Sequence, residues 1–202
     1  ISKGFLWKGF VAVGFHKEGN YTYLTTIDKV EKKLESENYE VDNFSITVKL
    51  LDEKNVIIGQ KTTKKAIGDS RYFENKTIGS LGLKELKNIY RISFSGEACG
   101  IPSFYYYFGW NGKEFIELLE KYDVGDAGVF YHSENFIFPK EAGGKPNLIL
   151  KQVQEAVNDD ESGEKNTYVF DVTKHTETYK WDGKKAVFVS KSKPKKFKRK
   201  EN

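Results

Sequence analysis

The chain has 202 residues, enough for one large domain or two small ones with a real core. Aromatic residues make up 15% of it, a share typical of strand-rich proteins because flat rings pack well on pleated surfaces. No apolar run approaches the roughly 20 residues that a spanning helix needs, so the sequence predicts no transmembrane segment. A single cysteine excludes an internal disulfide.

Positive charge is concentrated at the C-terminal end. Residues 191–202 contain seven Lys or Arg and one Glu, net +6, and the whole chain carries +4, so residues 1–190 carry −2. We predict a single β-rich domain over residues 1–190, with a subdivision near residue 80 as an alternative, and a basic tail over 191–202. Such a tail contacts an acidic surface, with nucleic acid less favoured, or acts as a solubilising end. Its candidate contact residues are Lys195, Lys196, Lys198 and Arg199.

Two expectations concern the ends of the chain. It starts at Ile1 and contains no methionine, which favours a processed end after removal of a signal peptide. We therefore expect a periplasmic, cell-surface or secreted protein. Because residues 1–190 are nearly neutral, we expect a partner to order the basic tail.

The first 41 residues carry two structural signals. Residues 5–26 are predicted to form a hairpin, because two apolar runs flank a turn-like polar cluster. Apolar residues at i, i+3 and i+7 then predict a helix over Asp28–Asn38. The alternative is a charged edge strand that continues to Val41.

The next stretch has the clearest strand pattern of the first half. Strict alternation over Phe44–Leu50 predicts a strand, and Val56–Ile58 starts its partner. Residues 61–80 are weakly patterned and are predicted to be a connection. Ser80–Asn88 is predicted to form one or two helical turns, followed by a half-buried strand over Tyr90–Phe94.

The sharpest turn signal is Asn111-Gly112, between two runs that favour strand. Asn-Gly supplies the two positive φ angles of a type I′ turn. A two-residue turn places Trp110 opposite Lys113 and Phe108 opposite Phe115. In the second half, Asn147–Val153 is predicted to be a strand, Asn158–Asn166 a polar loop and Thr176–Ser190 a hairpin. In this last hairpin one face is shared by Tyr179, Trp181, Ala186 and Phe188.

The two strongest hairpins share a pattern over residues 108–114 and 179–185: aromatic, any residue, Trp, Asn or Asp, Gly, Lys, charged residue. The second copy, YKWDGKKAVFV, follows GGKPNLIL at 143–150. Together they resemble degenerate blades of FG-GAP or integrin-α-type propeller-like secreted bacterial proteins, over residues 81–190. The predicted fold is mainly β, with antiparallel hairpins in a partial propeller-like or sandwich arrangement and one or two short helices.

The resemblance also implies where a calcium loop would lie. Its ligand positions fall on Pro139, Glu141, Gly143 and Asn147. Only Glu141 and Asn147 offer side-chain oxygen, whereas Ca²⁺ takes about six to eight oxygen ligands. We therefore expect that the metal site has been lost, and we predict no metal and no cofactor.

Candidate chemistry is sparse. Cys99 and His132 have no diagnostic spacing, and the histidines form no pair with metal-ligand spacing. Exposed Tyr and Trp side chains stack on sugars or contact proteins, but core positions are the favoured interpretation for these rings. The predicted binding residues are Tyr105, Tyr106, Tyr107 and Trp110.

We expect a non-enzymatic exported binding or structural component that acts through protein or glycan contacts. The alternative is a secreted hydrolase that uses Cys99 and His132 or an unidentified pair of carboxylates. The absence of a phosphate loop or dinucleotide fingerprint and the aromatic-rich β pattern favour the binding component.

Overall fold

A computed structural model of the chain describes residues 2–5, 12–36, 39–67, 70, 72–96, 100–159 and 168–201. Every regular element in these ranges is a β-strand, so the mainly β prediction is confirmed and the predicted short helices are wrong. A helix able to cross a membrane is likewise absent from these ranges.

The chain divides into two compact units. The first comprises Ile1–Ser80, Glu85–Glu97 and Ile101–Glu120, and the second comprises Leu81–Lys84, Ala98–Gly100 and Lys121–Asn202. The main boundary thus follows Glu120, whereas the sequence predicted a single domain over residues 1–190 with a subdivision near residue 80 as the alternative.

The first unit contains two antiparallel sheets. Its strands are β1 (Ser2–Phe5), β2 (Ala12–Glu18), β3 (Tyr21–Ser36), β4 (Tyr39–Leu51), β5 (Ile57–Ala66), β6 (Tyr72–Thr77), β7 (Asn88–Ser95), β8 (Ser103–Trp110) and the first half of β9 (Phe115–Asp126). One sheet has the order β2-β3-β4-β5, and the other has the order β1-β6-β7-β8-β9.

Both sheets contribute to one core. From the β2–β5 sheet come Tyr23, Ile27, Ile46, Val48 and Leu50; from the other come Phe73, Tyr90, Ile92, Phe94, Tyr106, Phe108, Trp110 and Phe115. Tyr23 stacks on Tyr90 with ring centroids 4.9 Å apart, and the Thr25 and Tyr90 hydroxyls hydrogen-bond at 2.8 Å. The Trp110 ring packs directly on Gly59, where an added Cβ would lie 2.3 Å from the ring, so this position has no room for a side chain.

Three sequence predictions for residues 28–88 are wrong. The helix over Asp28–Asn38 is replaced by β3, which pairs with β4 from Thr22 to Ser36, so the strand alternative describes this segment better. Residues 61–80 are no simple connection, because they complete β5 and contain β6.

Ser80–Asn88 contains non-helical turns, not the one or two helical turns that the sequence predicted. Leu81, Gly82 and Glu85 have φ angles of 48°, 84° and 68°, values in the left-handed region that a right-handed helix cannot contain. By contrast, the strand pair β4–β5 is confirmed, and the predicted hairpin over residues 5–26 is confirmed from Ala12 onward as β2–β3. Phe5 pairs with Tyr72 of β6 instead, and residues 6–11 lie outside the described ranges.

The second unit is a meander. Its strands are the second half of β9, β10 (Phe130–Ile137), β11 (Leu148–Asn158), β12 (Tyr168–Trp181), β13 (Ala186–Lys191) and β14 (Lys195–Glu201). Both β13 and β14 pair with β12, β13 at Glu177–Trp181 and β14 at Tyr168–Lys174. The sheets in the described ranges are open, and the propeller-like arrangement is not observed.

The two Trp-[Asn/Asp]-Gly-Lys hairpins share one turn geometry, which differs from the predicted type I′ turn. The Asn111 side-chain oxygen accepts the Lys113 and Glu114 amides, and the Asp182 carboxylate likewise accepts the two amides that follow Gly183. Each loop therefore has four residues, and Trp110 packs on Phe115, with ring centroids 5.0 Å apart, rather than opposite Lys113. The predicted shared face of the second hairpin is confirmed by the pairs Tyr179–Phe188 and Trp181–Ala186.

Candidate functional site

Most of the aromatic residues predicted to bind a ligand lie in the core of the first unit. Tyr106, Tyr107 and Trp110 are 5–6% exposed. Burial raises the pKa of Tyr106 above its ordinary value, and Lys65 lies over its ring at 5.3 Å. Tyr105 is half-buried, with Arg91 5.5 Å above its ring. A buried ring offers little surface to a sugar, so these positions are poorly suited to bind a glycan.

The basic tail is ordered by the chain itself. Strand β14 pairs with β12 over seven positions, from Tyr168–Glu201 to Lys174–Lys195. Lys198 Nζ lies 2.5 Å from Asp159, and Arg199 lies 5.1 Å above the ring of Tyr131. Pairing of this kind orders the tail without the external partner that the sequence suggested.

In the sheet of the second unit, the strand register places polar side chains in two rows that run across the strands, because residues directly opposite in an antiparallel pair share a face. The first row runs across four strands as Ser133, Gln154, Lys174 and Lys195. The second row contains Asn135, Gln152 and Thr176. Ser192 completes it, because its amide donates to the Thr176 carbonyl at 2.8 Å and its hydroxyl accepts the Thr176 amide at 2.9 Å.

These rows form the floor of an open depression of about 610 Å³, which we call the polar concavity. Its side chains include three amides, three hydroxyls and the ammonium groups of Lys174, Lys193 and Lys195. Among the described residues that line it, none is Asp or Glu. The volume lies in the range of small-molecule sites, and most of the residues that line it carry a polar or charged group.

Aromatic residues flank the polar concavity on one side. The neighbouring cross-strand row contains Tyr131, Ala156, Val172 and Phe197. Phe197 is 43% exposed, and Lys174 Nζ lies 5.3 Å from its ring. Gln154 donates to the Tyr131 hydroxyl, which fixes the amide at the edge of the polar rows. The surface thus combines amides, cations and a partly exposed ring.

The opposite face of this sheet carries ionisable residues that bind one another. Glu134, 6% exposed, accepts the Tyr122 amide at 3.1 Å and lies 2.7 Å from Lys151 Nζ. His132 stacks on Tyr122 with ring centroids 4.4 Å apart, and its Nε2 lies 3.3 Å from Glu134. These partners compensate the buried carboxylate, so we interpret the cluster as structural.

Glu177 in the same face is held in its ionised form. Burial opposes ionisation, but the hydrogen bond from Tyr179 and the charges of Lys151 and Lys191 lower the pKa of Glu177 below its usual value. Burial and this carboxylate raise the pKa of Tyr179 to about 12. An ionised Glu177 cannot serve as the general acid that glycoside hydrolysis needs.

The lowered pKa gives a pH-dependent prediction. Ionised Glu177 contributes stability above the ordinary pKa of 4.5, and this contribution is lost as pH falls through the lower folded-state pKa. We expect Glu177→Gln to reduce the free energy of unfolding at pH 7, with a deficit that shrinks below pH 4.5. Urea titrations from pH 7 to pH 3 measure this. Glu155→Gln removes a carboxylate that is 59% exposed and is the control; a deficit for Glu177→Gln that is constant with pH would contradict the assignment.

Comparison with protein-family models, with curated proteins and with solved structures gives no match to this chain.

The other candidate residues, for catalysis and for metal binding, form no site in the described part of the chain. Cys99 and most of the predicted loop Asn158–Asn166 lie outside the described residues, so the pairing of Cys99 with His132 stays a hypothesis. No group of three His, Cys, Asp or Glu suited to a metal ion occurs in the described part of the chain. Glu141, at an implied calcium position, accepts the Phe138 amide at 2.7 Å and stabilises a local turn.

Of the predicted tail residues, the structure brings only Lys195 into the polar concavity. Lys196 and Lys198 point to the opposite face, because they pair with Thr173 and Asp171. The sequence analysis missed Asn135, Gln152, Gln154 and Lys174. The signal available for two of them was the polar pair Gln152 and Gln154 on either side of Val153, which is 5% exposed.

Proposed function

We propose that this protein is a non-enzymatic binding component, and that the second unit binds an acidic glycan in the polar concavity. The observation that carries the proposal is the lining of amides, hydroxyls and three lysines without a carboxylate. Amides and hydroxyls exchange hydrogen bonds with sugar hydroxyls, and lysines attract carboxylate or sulfate groups. Phe197 supplies an apolar ring on which a sugar face can pack.

The proposal includes export to the periplasm, the cell surface or the medium, where polysaccharides are accessible. The resemblance to FG-GAP or integrin-α-type proteins over residues 81–190 stays a hypothesis about the origin of the second unit. A secreted hydrolase using Cys99 and His132 or a carboxylate pair is the alternative, and no contact of the described residues favours it.

The test compares dextran sulfate with uncharged dextran and with hyaluronate by titration calorimetry at low salt. We expect the two acidic polymers to bind and dextran to bind weakly. The double substitution Lys193→Gln with Lys195→Gln should weaken binding about two- to thirtyfold, because each exposed ion pair contributes about 0.2–1 kcal/mol and a tenfold change is about 1.4 kcal/mol.

The matched control is Lys196→Gln with Lys200→Gln, which removes the same amount of charge from β14 but from the face opposite Lys195. It should change affinity by less than about twofold, and by less than the concavity double. Gln152→Ala tests the amides at constant charge and should also weaken binding to hyaluronate. Equal losses in the two lysine doubles, with no effect of Gln152→Ala, would reduce the binding to unspecific charge attraction and overturn the proposal.

A further inference from the structure

Strand β13 is an exposed sheet edge with apolar side chains. It pairs with β12 along one side, and no described strand pairs with its other side. Val187, Phe188 and Val189 are 43%, 55% and 55% exposed. Successive strand residues point to opposite faces, so apolar side chains lie on both faces of this edge.

Edges of this kind are commonly protected by charged residues, proline or a covering element. Strand β14 follows that rule, since it is lysine-rich and is preceded by Pro194. The run Ala186–Ser190 contains no charge and no proline, and only a register shift at Thr178/Tyr179 interrupts its pairing with β12. Within the described residues, the outer side of β13 is therefore open to another strand, with a bulge at Val189.

The positive charge around β13 determines which kind of strand can pair with it. Between Gly183 and Lys200 the chain contains nine Lys or Arg and no Asp or Glu. Two copies joined along β13 would bring these cations together, which disfavours a second copy of this chain. Lys184 and Lys185 precede β13, Lys191 ends it and Lys193 follows, so both ends of the apolar run are cationic.

We propose that β13 is a docking edge for an extended acidic segment of another polypeptide, which adds to the sheet as a further strand. Main-chain hydrogen bonds along the edge provide affinity, as in other cases of strand addition. Apolar residues of the segment contact Val187 and Val189, and its carboxylates lie near the flanking lysines. No described residue of β13 lines the polar concavity, and of the four flanking lysines only Lys193 belongs to both surfaces.

The probe is the synthetic peptide acetyl-Glu-Val-Glu-Val-Glu-Val-Glu-amide. Its control is the same peptide with N-methyl groups on alternate residues, which keeps charge and side chains but removes backbone donors. We expect the first peptide to slow amide hydrogen exchange in Ala186–Lys191 and the methylated peptide to bind about tenfold more weakly or not at all. Equal binding of the two peptides, or binding without protection of β13, would overturn the proposal.

Two protein variants sharpen the test. Val187→Thr with Val189→Thr keeps β-branched side chains while reducing apolar contact, and should weaken binding of the peptide about three- to tenfold. Lys196→Gln with Lys200→Gln removes distant charge and should have a smaller effect. Stronger protection of β13 by a single-stranded oligonucleotide of equal charge, or concentration-dependent dimerisation through β13 in sedimentation, would assign the edge to a different partner and overturn the inference.

Discussion

Trp110→Ala is expected to lower the free energy of unfolding by about 3–5 kcal/mol, the cost typical of truncating a buried large aromatic side chain. Trp110 is 6% exposed, packs on Phe115 and fills the space over Gly59 in the core of the first unit. The loss is large beside the 5–15 kcal/mol that stabilises a typical domain. Urea unfolding followed by circular dichroism measures it.

The same variant distinguishes a core role from a binding role. Without urea, provided that the variant is mostly folded, the affinity of Trp110→Ala for dextran sulfate should stay within a factor of about two of the wild type. The reason is that the polar concavity lies in the second unit. Tyr105→Ala, at a half-buried position of the same strand, is the matched control and should cost less stability than Trp110→Ala. Lost glycan affinity with unchanged stability would restore Trp110 as a binding residue.

Strand patterns could be predicted where alternation and burial agree. Ile46, Val48 and Leu50 alternate in the sequence and are at most 1% exposed in the structure. The helix predicted after Ile27 is wrong because the spacing of its apolar residues fits a helix, whereas pairing with β4 holds the segment as a strand. Tertiary pairing outweighs a local propensity of a few tenths of a kcal/mol per residue.

The polar concavity could not be predicted because it depends on register. Ser133, Gln154, Lys174 and Lys195 are about 20 residues apart along the chain, and only three successive strand pairings place them in one row. A shift of one residue in any pairing would turn a row to the opposite face. The sequence showed the basic tail and the aromatic run, but not which side chains are buried or which lysines share a face.

The lysines of β14 have a structural explanation beside any role in binding. An edge strand with alternating cations resists pairing with further chains, because the added strand would leave those charges crowded. Phe197 and Arg199 meanwhile face the same side as Val172 and Phe170, which are 1% and 3% exposed. Strand β14 therefore shields the small core of the second unit and ends the sheet with charge.

Deletion of Lys195–Asn202 is accordingly expected to destabilise the protein, by about 2–4 kcal/mol. It removes the pairing of β14 along Tyr168–Lys174 and uncovers Phe170 and Val172, and full burial of a large apolar side chain contributes about 1.5–3 kcal/mol. Urea unfolding of the truncated chain measures the loss. The control Lys196→Gln with Lys200→Gln keeps the strand and removes charge, so its stability should stay within about 0.5 kcal/mol of the wild type. Unchanged stability after the deletion would mean that β14 does not hold β12 in solution, and the basic tail would again need a partner to order it.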